Sequence, residues 1–112
     1  MAVDYRRAMV AYKVGAEGGD DVCQHQVGSI YVKGFGVDVD YKQGRAWLEK
    51  AAAQDDPDAH GQLGSMYGNG NGVTPSWRRA REHVERAIEL GDPKAVENMQ
   101  ILTGHIQAVR NQ

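Results

Sequence analysis

Apolar and small residues recur along this chain at helical spacing, and no stretch shows the strict alternation of a half-buried strand. Two kinds of helix are predicted. One kind covers residues near 4–18, 40–54 and 76–90. It opens at Asp4, Asp40 or Ser76, whose side-chain oxygens can cap free N–H groups of a first turn. In the middle copy Ala46, Trp47, Lys50, Ala51 and Gln54 follow at helical intervals, and the run Ala51, Ala52, Ala53 favours helix strongly. The other kind starts after Asp20, Asp56 or Asp92, with Pro57 and Pro93 at the first-turn position where a missing N–H costs nothing. Its apolar stripe runs through Val27, Leu63 or Met99. Gly28 or Gly64 comes next, and Tyr31 or Tyr67 lies one turn further. A glycine inside a helix costs about 1 kcal/mol relative to alanine. Gly28 and Gly64 are therefore expected to be points where a neighbouring helix comes close.

The two kinds alternate because the chain repeats itself. Sliding the sequence by 36 residues aligns Asp4 with Asp40, Tyr5 with Tyr41 and Trp77, and Asp20 with Asp56 and Asp92. The register holds without a gap through Gly28 and Gly64, Tyr31 and Tyr67, Gly34 and Gly70, Gly36 and Gly72, and Val37, Val73 and Val109. A period of this length marks a solenoid, in which each unit buries its apolar face only by stacking on its neighbours. The fold class expected is all-α: an α–α superhelix of about six antiparallel helices. Gly34, Gly36, Gly70 and Gly72 are expected to include residues of positive φ, with Val37 and Val73 turned inward to seal each unit.

Composition narrows the function without naming it. The 112 residues suit one domain, 1–112, able to bury a modest core. Thirteen Lys and Arg against fifteen Asp and Glu leave a net charge of −2, which offers no basic field, and no nucleic-acid partner is expected. Cys23 is the single cysteine and cannot form an internal disulfide. Residues 1–7 carry charge where a signal peptide needs an apolar run, and no run approaches the ~18 apolar residues of a membrane span. The expectation is a cytoplasmic chain with no membrane association.

The residues Ala59, Leu63, Gly64, Met66, Tyr67, Gly70, Gly72 and Val73, followed by Ser76 and Ala80 and preceded by Lys50, Ala51 and Ala52, form a pattern that resembles the Sel-one-like repeat family, relatives of the tetratricopeptide repeats. The resemblance covers nearly the whole chain. It implies a leading half repeat at 4–18, full repeats at 19–54 and 55–90, and a trailing capping helix at 91–112. Gly44 stands where the family prefers alanine and Asp55 where it prefers glycine. Gln100 and Thr103 replace the glycine and tyrosine of the last copy, as expected of a terminal unit with nothing stacked beyond it. The front end has no such atypical unit, which is what a segment of a longer array would show.

No catalytic or cofactor motif is expected. Gly68-Asn69-Gly70-Asn71-Gly72 lacks the Gly-Lys-Ser/Thr of a phosphate loop, and Gly34-Phe35-Gly36 serves the same turn. Asp38, Asp40 and Glu49 fit three positions of a calcium loop, but Lys42 takes a ligand place and Gln43 replaces the glycine. Cys23 and His25 lie about 200° apart around a helix and cannot form a nucleophile and base pair. Cys23 fills a small-residue slot shared with Ala59 and Ala95. The histidines His25, His60, His83 and His105 show no i, i+4 pairing, so no metal site is expected. Arg78, Arg79 and Arg81 interleave with Glu82 and Glu85 as on a solvated face. Trp47 and Trp77 are expected to pack in the core.

Relatives in the family line a concave groove with the leucine-glycine helix. Carried over, this implies partner contacts at Val22, His25, Ser29, Val32 and Lys33, at Asp58, Gly61, Ser65 and Asn69, and at Lys94, Glu97, Ile101 and His105. His25, Gly61 and Glu97 differ between copies, as do Lys33, Asn69 and His105. The function expected is a protein-interaction adaptor or scaffold that binds a peptide or partner subunit on this face, with self-association through the solenoid ends as a further possibility. Two other readings stand beside it. One is a β-lactamase-like hydrolase of the family's cysteine-rich branch, which the lone Cys23 disfavours; the other is a structural subunit of a larger complex.

Overall fold

The computed structural model describes residues 4–92. Five helices and no strand occur among them: α1 (Tyr5–Glu17), α2 (Asp21–Lys33), α3 (Tyr41–Ala52), α4 (Pro57–Asn69) and α5 (Trp77–Glu89). The sixth helix, expected within 91–112, falls almost wholly outside the described residues, and so do Glu97, Ile101 and His105. Each start is the one the caps foretell. Asp4, Asp20, Asp40, Asp56 and Ser76 are extended N-caps whose side chains accept first-turn N–H groups, and Pro57 opens α4.

The helices α2 and α4 end alike. Gly34 and Gly70 are left-handed, with φ of 72° each, and their N–H groups donate to the Ile30 and Met66 carbonyls. Gly36 and Gly72 also have positive φ. The loops then close back, with Asp40 N–H on Tyr31 O and Ser76 N–H on Tyr67 O, each at 2.9 Å. Val37 and Val73 are half-buried and pack against the cores. A Cβ on Gly36 would stand 3.0 Å from Tyr5 Cβ, and one on Gly72 would strike Tyr41 Cβ. That pairing explains the recurring aromatic that opens α1 and α3. Trp77 opens α5 but remains 36% exposed rather than in the core, whereas Trp47 is half-buried against the first core with Lys50 Nζ 4.5 Å from its ring centroid.

The mid-helix glycines are contact points. A Cβ on Gly28 would lie 2.7 Å from Leu48 Cγ and 2.9 Å from the Gly44 carbonyl; on Gly64 it would lie 2.8 Å from Val84 Cγ2 and 3.2 Å from the Ala80 carbonyl. Here α2 meets α3 and α4 meets α5 at close backbone range. The departure at Gly44 has a local cause: a Cβ there would be 2.6 Å from Val32 Cγ2. One period on, the same two positions are Ala80 and Gly68. A second pair behaves alike, for a Cβ on Gly15 would run into Cys23 Sγ, and the next copy holds Ala51 and Ala59. Where one partner grows by a few atoms, the other shrinks to glycine, so the volume of the crossing stays near constant.

The direction of curvature follows from which helices touch. Among the described residues the backbones of α2 and α4 approach each other closely, whereas those of α1 and α3, and of α3 and α5, do not. The α2/α4 layer is therefore the more tightly spaced and forms the inner, concave side. The odd-numbered helices form the outer layer.

Candidate functional site

The inner layer is built from the starts and middles of α2 and α4, which run side by side. Asp56, the α4 N-cap, is 3% exposed; it accepts the Ala59 N–H at 2.9 Å through Oδ1 and meets His25 Nδ1 at 2.8 Å through Oδ2. Burial works to raise Asp56, but the hydrogen bonds from His25 and the Ala59 N–H hold it below the ordinary carboxylate range. Asp21, one turn before His25, is raised, chiefly by a side-chain hydrogen bond with Asp56. The other nitrogen of His25, Nε2, faces Asp58 Oδ2 at 3.8 Å. One turn along both helices, Ser29 Oγ donates to Gln62 Oε1 at 2.6 Å. His25 and Ser29 on α2 thus form two rungs with Asp58 and Gln62 on α4.

Beside this ladder lies a groove of about 400 Å³. Its walls are Tyr5, Ala8 and Tyr12 from α1, His25, Gln26, Ser29, Ile30 and Lys33 from α2, Phe35, and Asp58 and Gln62 from α4. Tyr5 and Phe35 stack with centroids 4.7 Å apart, and Lys33 Nζ sits 5.8 Å from the Phe35 ring centroid. The groove therefore offers aromatic surface, one ammonium group and a carboxylate within one cleft.

The expected contact residues divide. His25, Ser29 and Lys33 line the groove, together with Asp58. Val22, Ser65 and Asn69 are exposed but do not line it. His25, expected at an open position, is instead 7% exposed because it is held by Asp56, and Gly61 is buried with the Asp92 carboxylate 3.4 Å from where its Cβ would be. Tyr5, Tyr12, Gln26, Phe35 and Gln62 were not foreseen. Nothing in the period separates them from residues that merely pack between helices.

Sequence spacing also hid a histidine pair. His60 Nδ1 and His83 Nδ1 are 3.1 Å apart across the α4–α5 crossing, one ring donating and the other accepting, and His83 stacks on Tyr67 with centroids 5.6 Å apart. Burial pushes both imidazoles below their ordinary value; the Ala52 carbonyl opposes this at His60, and the neighbouring His60 reinforces it at His83. His60 occupies the place of Gln24, whose Nε2 donates to Ala16 O at 3.2 Å one period earlier.

Comparison with known proteins decides the family. The family model described as Sel1 repeat matches residues 21–56 and 57–92. The chain belongs to the Sel1 repeat family. Solved structures agree. A Sel1 repeat protein from Oxalobacter formigenes is 36% identical with a TM-score of 0.77, covering 82% of this chain and 38% of its own. The protective antigen c5321 of uropathogenic Escherichia coli, which displays an SLR fold, is 32% identical with a TM-score of 0.80, covering 86% of this chain and 21% of its own. Helicobacter pylori cysteine rich protein B shares the fold, at 22% identity and a TM-score of 0.76, with 85% of this chain and 71% of that one covered. The chain thus spans well under half the length of the first two. No curated protein sequence matches. No helix among the described residues is long and apolar enough to cross a membrane.

Proposed function

We propose that this Sel1 repeat chain is a protein-interaction module that holds a peptide segment or partner subunit along its inner α2/α4 layer, with the groove beside Ser29 and Lys33 as the principal contact. The observation that carries the reading is that groove itself. It brings exposed aromatic surface and both signs of charge together on the face that stacking of the repeats leaves open. Aromatic anchors surrounded by polar groups are the composition from which interfaces draw most of their energy. Ser65 and Asn69, exposed further along α4, extend the contact, and Glu97, Ile101 and His105 continue it by register.

On this reading the chain binds and does not catalyse. The one thiol supports it: burial, then the nearby Asp20 charge, push Cys23 up, away from the reactive thiolate, and Cys23 packs against Gly15 as a small core residue. The test is capture from native extract on immobilised protein, comparing the unchanged chain with two variants. In one, Lys33→Glu and Phe35→Ala alter the groove; in the other, Glu49→Ala and Arg81→Ala alter the outer layer. Exposed polar changes shift stability by about 0.5 kcal/mol each and loss of the Phe35 stack on Tyr5 costs about 0.5–1.5, so both variants should fold. The partner should be retained by the outer-layer variant and lost by the groove variant. Loss in the outer-layer variant alone would place the interface elsewhere.

A further inference from the structure

We infer that His25 and Asp58 form a binding site for one first-row divalent cation, of the zinc, cobalt or nickel kind, at the floor of the concave groove. The argument starts at Asp56. Its position is fixed, because it caps α4 and is almost fully buried. A neutral imidazole has one donor nitrogen and one acceptor. With Nδ1–H given to Asp56 at 2.8 Å, the acceptor is Nε2, on a side chain only 9% exposed. What Nε2 faces is another acceptor, Asp58 Oδ2, at 3.8 Å, beyond hydrogen-bond length. Nε2 and the Asp58 oxygen thus converge on one gap at the groove, wide enough for a metal ion in place of a proton.

The dimensions suit an ion. Ligand atoms about 2.1 Å from a metal and 3.8 Å apart subtend about 130°. A shift of a few tenths of an ångström in the half-exposed Asp58 side chain brings this to the tetrahedral value. His25, Asp56 and Asp58 can each present one ligand atom with all three within 4.8 Å of one another. Asp56 then acts through His25 as the carboxylate that orients a metal-bound imidazole and raises its basicity. Imidazole with carboxylate is a donor set for borderline first-row cations rather than for calcium. Both ligand side chains line the groove, so the remaining coordination positions open to water there. Stacking does not demand His25, because one period on the position is Gly61 beside the equivalent buried Asp92.

Calorimetric titration of the tag-free 112-residue chain with zinc, and visible absorption with cobalt, test this. The result expected is saturable binding of one ion per chain, with cobalt d–d bands and a zinc-dependent change in the His25 ring nitrogen shifts. Asp58→Asn, an exposed change whose fold is checked by circular dichroism, should weaken binding at least tenfold, and His83→Phe should leave it unaltered. Three results would overturn the site: no saturable binding at millimolar zinc, equal affinity in Asp58→Asn, or loss of binding in His83→Phe. The first means that a proton alone bridges His25 and Asp58, and the last that the ion sits at the His60–His83 pair.

Discussion

At the residue scale, the pair Val32 and Gly44 shows how far a repeat constrains its members. The family's alanine at position 44 would put a methyl group 2.6 Å from Val32 Cγ2, so Gly44→Ala alone should cost about 1–3 kcal/mol by overpacking. Adding Val32→Ala removes the obstructing methyls. The double variant should therefore recover at least half of that loss, a coupling readable from urea midpoints in a double-mutant cycle. If the two effects simply add, the pair is not in contact. The departure at Gly44 was legible in the sequence, but its cause was not, because the contact joins two helices whose crossing no period reveals. Asp55 is a companion case. It holds φ at +63°, where Gly19 and Gly91 take the same place in the other copies, and its carboxylate meets Arg86 at 2.9 Å. Left-handed backbone costs an ordinary side chain roughly 1–2 kcal/mol, whereas an exposed ion pair contributes about 0–1. Asp55→Ala should lower the melting temperature, and Asp55→Gly should match or exceed the unchanged chain; a Gly variant less stable than the Ala variant would show that the ion pair dominates.

At the scale of helices, periodicity, with the caps, foretold the start of every helix in the described region, and the ends of α1, α3 and α5 to within two residues. What it could not supply is which polar side chains meet across a crossing. His60 and His83 lie 23 residues apart and come together only because α4 and α5 pack at Gly64. Their burial has a pH consequence. Both are held below the ordinary 6.5, so the folded chain takes up protons less readily than the unfolded chain does. The stability they contribute is fully present above about pH 6.5 and is lost as pH falls through the lowered folded values. Urea midpoints should thus fall between pH 7.5 and 5.5, and His83→Phe, which keeps the stack on Tyr67, should flatten that fall. An equally steep decline in the variant would assign the effect to other groups. The first seam gives a second test: Asp56→Ala removes both the α4 cap and the partner of a buried imidazole. Loss of a cap costs about 1 kcal/mol, and loss of a hydrogen bond to a charged group about 1.5–3. A cost under 1 kcal/mol by urea unfolding would show that Asp56 and His25 are not coupled.

For the whole molecule, the solenoid follows from the 36-residue register, and the concave side follows from α2 touching α4 while the outer helices stay apart. The groove face was legible only through the family resemblance. Even then His25 was placed in the open, because a side chain that the fold buries under Asp56 looks in the sequence like any other position off the apolar stripe. The aromatic wall was not legible at all, since Tyr5 and Phe35 stack across a loop and a helix from different units. Binding along that face is the central claim, and backbone amide shifts of the isotope-labelled chain, followed while the captured partner is titrated in, test it most directly. The account predicts that the largest shifts fall at Ser29, Lys33, Phe35 and Gln62, and extend toward Ser65 and Asn69. Shifts confined to Lys42, Glu49, Arg81 and Glu85, on the exposed surface of α3 and α5, would contradict it.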